Sequence, residues 1–143
     1  MVANPPDGAP QITPYLLYEN VAATAEWLVK AFGFVETFRM EDRSGTVNHA
    51  ELSMGKGNVM MGNPGPDYRS PKRLGGVTQV VYVYVDDVDA HFEAAASAGA
   101  VIVRPVADQF YGDRTYMAED PEGHRWGSSQ HIRDVAPGDM VQP

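Results

Sequence analysis

Two side chains able to move protons stand two residues apart in the segment His49-Ala50-Glu51-Leu52-Ser53. In an extended strand successive side chains leave opposite faces, so the imidazole and the carboxylate share one face while Ala50, Leu52 and Met54 take the other. An imidazole beside a carboxylate can act as acid and base toward a bound molecule, or hold one polar group of a ligand. A half-exposed strand with a solvated polar face has the same pattern, and residue types alone leave both readings open. Aromatic residues supply a second kind of chemistry. Tyr15, Tyr82, Tyr84, Tyr111, Tyr116 and Trp126 fall in or beside strand-like runs, and an aromatic-lined cavity with a few polar groups is the general form of a small-molecule site. Strand aromatics also fill cores. Tyr15, Tyr82, Tyr111, Tyr116 and Trp126 are the ligand-binding candidates among them. Arg114 joins them because its planar fork of donors suits a carboxylate or phosphate; the alternative is an ion pair with Asp113 or Glu119.

The other histidines offer less. His124 follows a turn glycine, His131 ends a strand beside the C-terminal tail, and neither spacing makes a metal pair. His91, in the early turns of a helix, reads as a surface residue, and Trp27 as a packing or dimer contact. Met54, Met60 and Met61 read as core filler, or as a surface tolerant of varied ligands. Gly55-Lys56-Gly57 is too short to cradle a phosphate and fits a hairpin turn. The chain has no Gly-x-Ser-x-Gly elbow and no His-Glu-x-x-His helix.

These residues must be positioned by a small set of elements. Ile12 to Tyr18 reads as a strand, then Asn20 as an N-cap, and Val21, Ala25, Leu28 and Phe32 as one helical face that Gly33 stops. Strands follow at Phe34 to Met40, Thr46 to Met54 and Asn58 to Met61. The second half repeats this order. Thr78 to Val85 is a strand, Asp87 a cap, Val88, Phe92, Ala95 and Ala96 a helical face, and Gly99 its stop. Val101 to Arg104, Arg114 to Glu119 and Arg125 to Gln130 are strands, the last two joined by Asp120-Pro121-Glu122-Gly123, which suits a type I turn. The two caps are 67 residues apart and the two stops 66, the mark of an internal repeat. The divisions predicted are a disordered tail at 1–10, a first βαβββ module at 11–63, a Pro- and Gly-rich linker at 64–77, a second module at 78–132 and a tail at 133–143. The two modules together form one domain, 11–132.

Composition narrows the partners. The 143 residues carry 11 Lys plus Arg against 19 Asp plus Glu, a net charge of -8, with a pI near 4.8. Without a basic cluster, neither nucleic acid nor an anionic membrane surface is an expected partner. The absence of cysteine excludes disulfides, thiolate metal sites and a cysteine nucleophile, and suits a cytoplasmic protein. The longest apolar run, Val80 to Val85, is far short of the roughly 18 residues of a membrane span, and the N-terminus has no signal pattern.

Two βαβββ modules in tandem resemble the vicinal oxygen chelate superfamily of glyoxalase I, extradiol dioxygenases and bleomycin-resistance proteins. Tyr82 to Phe92 (YVYVDDVDAHF) is similar to that family's second-module strand and helix start. Asp120 to Trp126 (DPEGHRW), with Tyr111 to Arg114 (YGDR) ahead of it, is similar to its PhnB-like branch. The resemblance spans 12–132. It implies an α+β fold, a cup-shaped mixed β-sheet with helices on its outer face, and a homodimer whose cavity both chains border. It also implies four His or Glu metal ligands in the metal-using members. Carried onto this chain, those positions fall on Thr13, Glu51, Val80 and Gly127, and only Glu51 matches. The expectation is therefore a small-molecule-binding protein with no metal or other cofactor, taking an aromatic or planar ligand for sequestration or resistance. The alternative is a lyase, isomerase or dioxygenase that uses Glu51 and His49, with or without a divalent metal.

Overall fold

A computed structural model describes residues 1–143. Strand β1 (Tyr15–Leu17) leads into helix α1 (Val21–Phe32), then β2 (Val35–Glu41), β3 (Val47–Met54) and β4 (Gly57–Gly62). After a short helix α2 (Pro71–Leu74), β5 (Val80–Tyr84) leads into α3 (Val88–Ser97), β6 (Val101–Asp108), β7 (Asp113–Glu119) and β8 (Arg125–His131). The strands form two four-stranded mixed sheets with matching orders, β1-β4-β3-β2 and β5-β8-β7-β6. In each, the first strand runs parallel to the last and the other pairs are antiparallel. The fold is α+β, built of two tandem βαβββ modules.

The helix boundaries follow from the sequence chemistry. The Asn20 side chain accepts from the Ala23 amide, and that of Asp87 from the Ala90 amide, each meeting an amide with no partner inside the helix. Gly33 ends α1 at φ 79° and Gly99 follows α3 at φ 88°, a conformation that a side chain would strain. The first strand is shorter than the sequence predicts. Pro10 and Pro14 have no N–H to donate to a ladder, and only the Pro14 carbonyl takes part, accepting from Met60. Strand β6 is longer, because an irregular register between Arg104 and Ala107 absorbs Pro105 on an edge strand, where proline is tolerated.

Each helix covers one face of its own sheet, and the two helices also pack on each other. No Cα of one sheet comes within 8 Å of the other. The layers therefore run sheet, helix, helix, sheet, and the uncovered sheet faces point away from the helix pair. Leu16, Leu28, Phe32, Leu52, Met61 and Trp126 are among the side chains buried between the layers. Phe32 and Phe34 of the first module meet the Trp126 ring edge-on at 5.6 and 5.4 Å.

The Asp120-Pro121-Glu122-Gly123 turn locks the modules together. The Gly123 amide bonds the Asp120 carbonyl, as a type I turn requires. The Glu122 carboxylate accepts from the amides of Glu19 (2.6 Å) and Asn20 (2.8 Å) and from the Thr24 hydroxyl, placing an anion at the start of α1, where the helix dipole favours it. Asp120, 3% exposed, accepts from the Tyr18 hydroxyl at 2.7 Å, Trp126 Nε1 at 3.1 Å and the amides of Glu122 and His124. Burial raises its carboxyl above the ordinary range against the pull of the Trp126 and Tyr18 hydrogen bonds. His124 belongs to the same lock, bonding the Leu17 carbonyl through Nε2 at 2.7 Å.

Candidate functional site

On the first sheet, alternation sends Leu16, Ala50, Leu52 and Met61 beneath α1 and leaves Tyr15, Leu17, His49, Glu51 and Met60 on the uncovered face. Tyr15 stands on an edge strand, and its ring lies across β4 over Gly62. A Cβ there would sit 2.6 Å from the phenol oxygen. The missing side chain lets Tyr15 reach His49 Nδ1 on β3 at 2.9 Å, while His49 Nε2 meets Glu51 Oε1 at 3.1 Å. An ionised Glu51 can only accept, so a neutral imidazole carries its proton on Nε2 and takes the Tyr15 proton on Nδ1. Hydrogen bonds then run in one direction, from Tyr15 through His49 to Glu51. The Phe38 ring meets His49 at 6.1 Å, and Phe38, Met40 and Tyr15 are each about half exposed.

The second sheet carries a related device. Tyr82 holds the place on β5 that Tyr15 holds on β1, 67 residues earlier, and its ring passes over Gly127 of β8, where a Cβ would sit 3.3 Å from it. Its hydroxyl donates to Asp113 Oδ2 at 2.6 Å, and the Tyr84 hydroxyl donates to the same oxygen at 3.0 Å. Asp113 Oδ1 lies 2.7 Å from His131 Nδ1, and His131 Nε2 reaches Asp134 at 2.9 Å. Asp113 is 4% exposed. Burial raises its carboxyl, but hydrogen bonds from Tyr82, His131 and Tyr84 outweigh that and hold it below the ordinary value. The Tyr82 hydroxyl is pushed up by burial and by Asp113. The His131 imidazole is raised by Asp134 and then by Asp113. Tyr111, in the β6–β7 turn, joins Tyr82, Arg104 and Thr115 around a cavity of about 90 Å³.

The structure thus gathers His49, Glu51 and Tyr15 on one uncovered face, and Tyr82 and Tyr111 on the other. It does not gather Arg114, Tyr116 and Trp126 there. All three project to the helix side, since strand parity pairs them with Ala118 rather than with Asp113. Tyr116 and Trp126 are 1% and 0% exposed. Their polar atoms serve the interior, Tyr116 bonding His91 Nδ1 at 2.6 Å and Trp126 bonding Asp120. Arg114 forms its ion pairs with Asp89 of α3 and Asp108. Asp113 and Glu119 lie at odd offsets from it on the same strand and face the other way. His91 is not a surface residue either. It joins the helices, bonding the Phe32 carbonyl through Nε2 at 2.8 Å and stacking on the Phe32 ring, and burial lowers its pKa. Trp27 packs within the chain, donating to the Ala98 carbonyl.

Asp113 and His131 escaped the reading of site residues, and so did Gly62. One signal was present in the sequence. Asp113, Thr115 and Met117 alternate with Arg114, Tyr116 and Ala118, which separates Asp113 from the core face.

The donor set does not fit a divalent metal. No three or more His, Cys, Asp or Glu residues cluster to hold one. Register also removes the one match at the implied ligand positions. Gly127 pairs with Tyr82 as Met60 pairs with Tyr15, so the first-module counterpart of Gly127 is Met60. Glu51 sits one strand further in, opposite Met60. Thr13, Met60, Val80 and Gly127 provide no carboxylate or imidazole.

Neither uncovered face is enclosed within one chain. A cleft of about 570 Å³ runs between the modules beside β5, with Met54, Lys56, Tyr82, Tyr84 and His91 among its lining residues.

Residues 10–127 match the family model for the glyoxalase/bleomycin resistance protein/dioxygenase superfamily. An uncharacterised protein of Mycobacterium bovis is 35% identical over 131 residues, 88% of this chain and 86% of that protein. An uncharacterised protein of Mycobacterium tuberculosis is also 35% identical, over 88% of this chain and 77% of its own length. Among solved structures, TioX from Micromonospora sp. ML1 is similar with a TM-score of 0.71 and 36% identity, covering 87% of this chain and all of TioX. A glyoxalase/bleomycin resistance protein/dioxygenase from Nocardioides has a TM-score of 0.65 at 19% identity, covering 91% and 89% of the two chains, and shares the fold.

Proposed function

Because this chain belongs to the glyoxalase/bleomycin resistance protein/dioxygenase superfamily, whose members bind small molecules, we propose that it is a metal-free binding protein for an aromatic or otherwise planar ligand. Its role is sequestration or resistance in the cytoplasm. One observation carries the reading: each sheet leaves uncovered a face with a tyrosine ring passing over a glycine and tied to a polar acceptor two strands away. Phe38, Met40 and Leu17 on one face, and Val80 and Tyr84 on the other, add exposed apolar area. Flat rings beside a few fixed polar atoms suit a planar ligand, which stacks on the former and is oriented by the latter. Since no strand of one sheet contacts a strand of the other, a closed cup requires two copies, the first module of one facing the second module of its partner. Such a homodimer also covers edge strands β1 and β5. Equilibrium binding of planar aromatic probes, with sedimentation of the same samples, tests this. The reading expects a dimer in which Tyr15→Ala and Tyr82→Ala each weaken binding; a monomer at micromolar concentration that binds with both tyrosines removed overturns it.

The chain of hydrogen bonds from Tyr15 through His49 to Glu51 favours a second reading, acid–base catalysis at the same face. There, proton removal from a bound substrate at the Tyr15 oxygen is balanced by transfer through His49 to Glu51. Deuterium exchange into a bound ligand, lost in Glu51→Gln, would mark that activity.

A further inference from the structure

We infer that the group this cup reads on its ligand is a hydrogen-bond donor, an amine or ring N–H, and not a carboxylate or phosphate. The inference rests on the binding reading above. It follows from where the phenol hydrogens go. Tyr82 and Tyr84 both donate to Asp113 Oδ2, so their oxygens offer only lone pairs outward. Tyr15 commits its hydrogen to His49 whenever Glu51 takes the proton of Nε2. Three phenol oxygens, contributed by both half-sites, are thereby acceptors, and carboxylates stand behind them.

Every charged group facing these oxygens counts. Glu51 is the anion of the first face. On the second, His131 lies between Asp113 and Asp134, and the three carry one net negative charge even with the imidazole protonated. An anionic ligand would have to use Arg104 and the Tyr111 hydroxyl, which stand beside Tyr82 around the small cavity. Two cations on that side stand outside the ion pairs of the chain, Arg104 and Arg133, and the Arg133 guanidinium donates to the Gln109 carbonyl at the edge of the same cavity.

Two probes with one ring system separate the cases, 9-aminoacridine as cation and acridine-9-carboxylate as anion. Neutral acridine serves as reference, with affinities measured by fluorescence at a fixed ionic strength of about 0.5 M, where distant charges are screened. The wild-type protein is expected to prefer the cation by about tenfold or more, roughly 1.4 kcal/mol. The Tyr82→Phe/Tyr84→Phe variant keeps the net charge, so loss of the preference there ties it to the phenol oxygens and not to the acidity of the whole chain. Asp113→Asn should also abolish it, and Arg104→Ala, which removes a like charge beside the cavity, should not weaken cation binding. Equal or tighter binding of the carboxylate, reduced by Arg104→Ala, overturns the inference while leaving the planar-ligand cup standing. A cation preference that survives in Tyr82→Phe/Tyr84→Phe overturns it as well. If none of the three acridines binds, the cup reading fails and takes the inference with it.

Discussion

Gly62→Ala separates the stability of the fold from the geometry of the first half-site. The added methyl carbon would lie 2.6 Å from the Tyr15 oxygen and 2.7 Å from its Cε1, well inside contact distance. Those atoms are the far end of a half-exposed side chain, so the ring can swing toward solvent without moving the backbone. The swing breaks the hydrogen bond to His49, a net loss of about 0.5–1.5 kcal/mol. Gly62 has no positive φ, so alanine fits its backbone and stiffens the unfolded chain, a gain of about 0.4–1 kcal/mol. The two effects nearly cancel. Calorimetry should place Tm within about 4 °C of the wild-type value, while NMR titration of the His49 ring shows a changed environment and a planar probe binds at least about tenfold more weakly. A fall in Tm beyond about 8 °C would refute the claim that the ring is free to leave. Unchanged probe affinity would refute the claim that its placement matters.

Removing the Asp120 carboxylate by Asp120→Ala leaves the buried Tyr18 hydroxyl and Trp126 N–H without their acceptor, and urea unfolding should show a loss of about 2–4 kcal/mol; a loss under about 0.5 kcal/mol would mean that water replaces it. Stability should fall at both ends of the pH range through the Asp113–His131 pair. His131, raised above 6.5, stabilises fully below that pH and loses its contribution as pH climbs through its folded value; Asp113, lowered below 3.8, contributes above 3.8 and loses it as pH drops through its own. Asp113→Asn should flatten the acid limb and reduce the alkaline one, whose larger cause, Asp134, remains, in denaturation curves taken at a series of pH values. For Glu51→Gln, elemental analysis of protein purified without chelator should find far less than one metal per chain before and after the change, whereas probe affinity shifts. One tightly held metal per chain that disappears with Glu51 would contradict the geometry.

Caps, stops and order of elements were legible in the sequence because they depend on local chemistry. Asn20, Asp87, Gly33 and Gly99 each act within a few residues of their own position. The pairing of His49 with Glu51 was legible for the same reason, since strand alternation is local. What depends on the other module was not. His91 reads as a solvated helix residue until the Phe32 carbonyl is brought to it, and Asp120 to Trp126 reads as a turn until it is seen to hold Tyr18 and the start of α1. Arg114 and Trp126 were misplaced because residue type was weighed ahead of strand parity. Gly62 and Gly127 matter through what their missing side chains admit from a neighbouring strand, and no spacing along the chain announces that.

The central claim is that one cup is made by the first module of one copy and the second module of another. Complementation tests it most directly. A chain carrying Tyr15→Ala and His49→Ala, and a second carrying Tyr82→Ala and Asp113→Ala, should each fold, dimerise and bind no planar probe. Refolded together in equal amounts, half of the dimers are mixed, and each mixed dimer holds one intact cup, so about a quarter of the wild-type binding capacity should return. No recovery in a sample shown by mass spectrometry to contain mixed dimers, or full binding by either variant alone, would contradict the account.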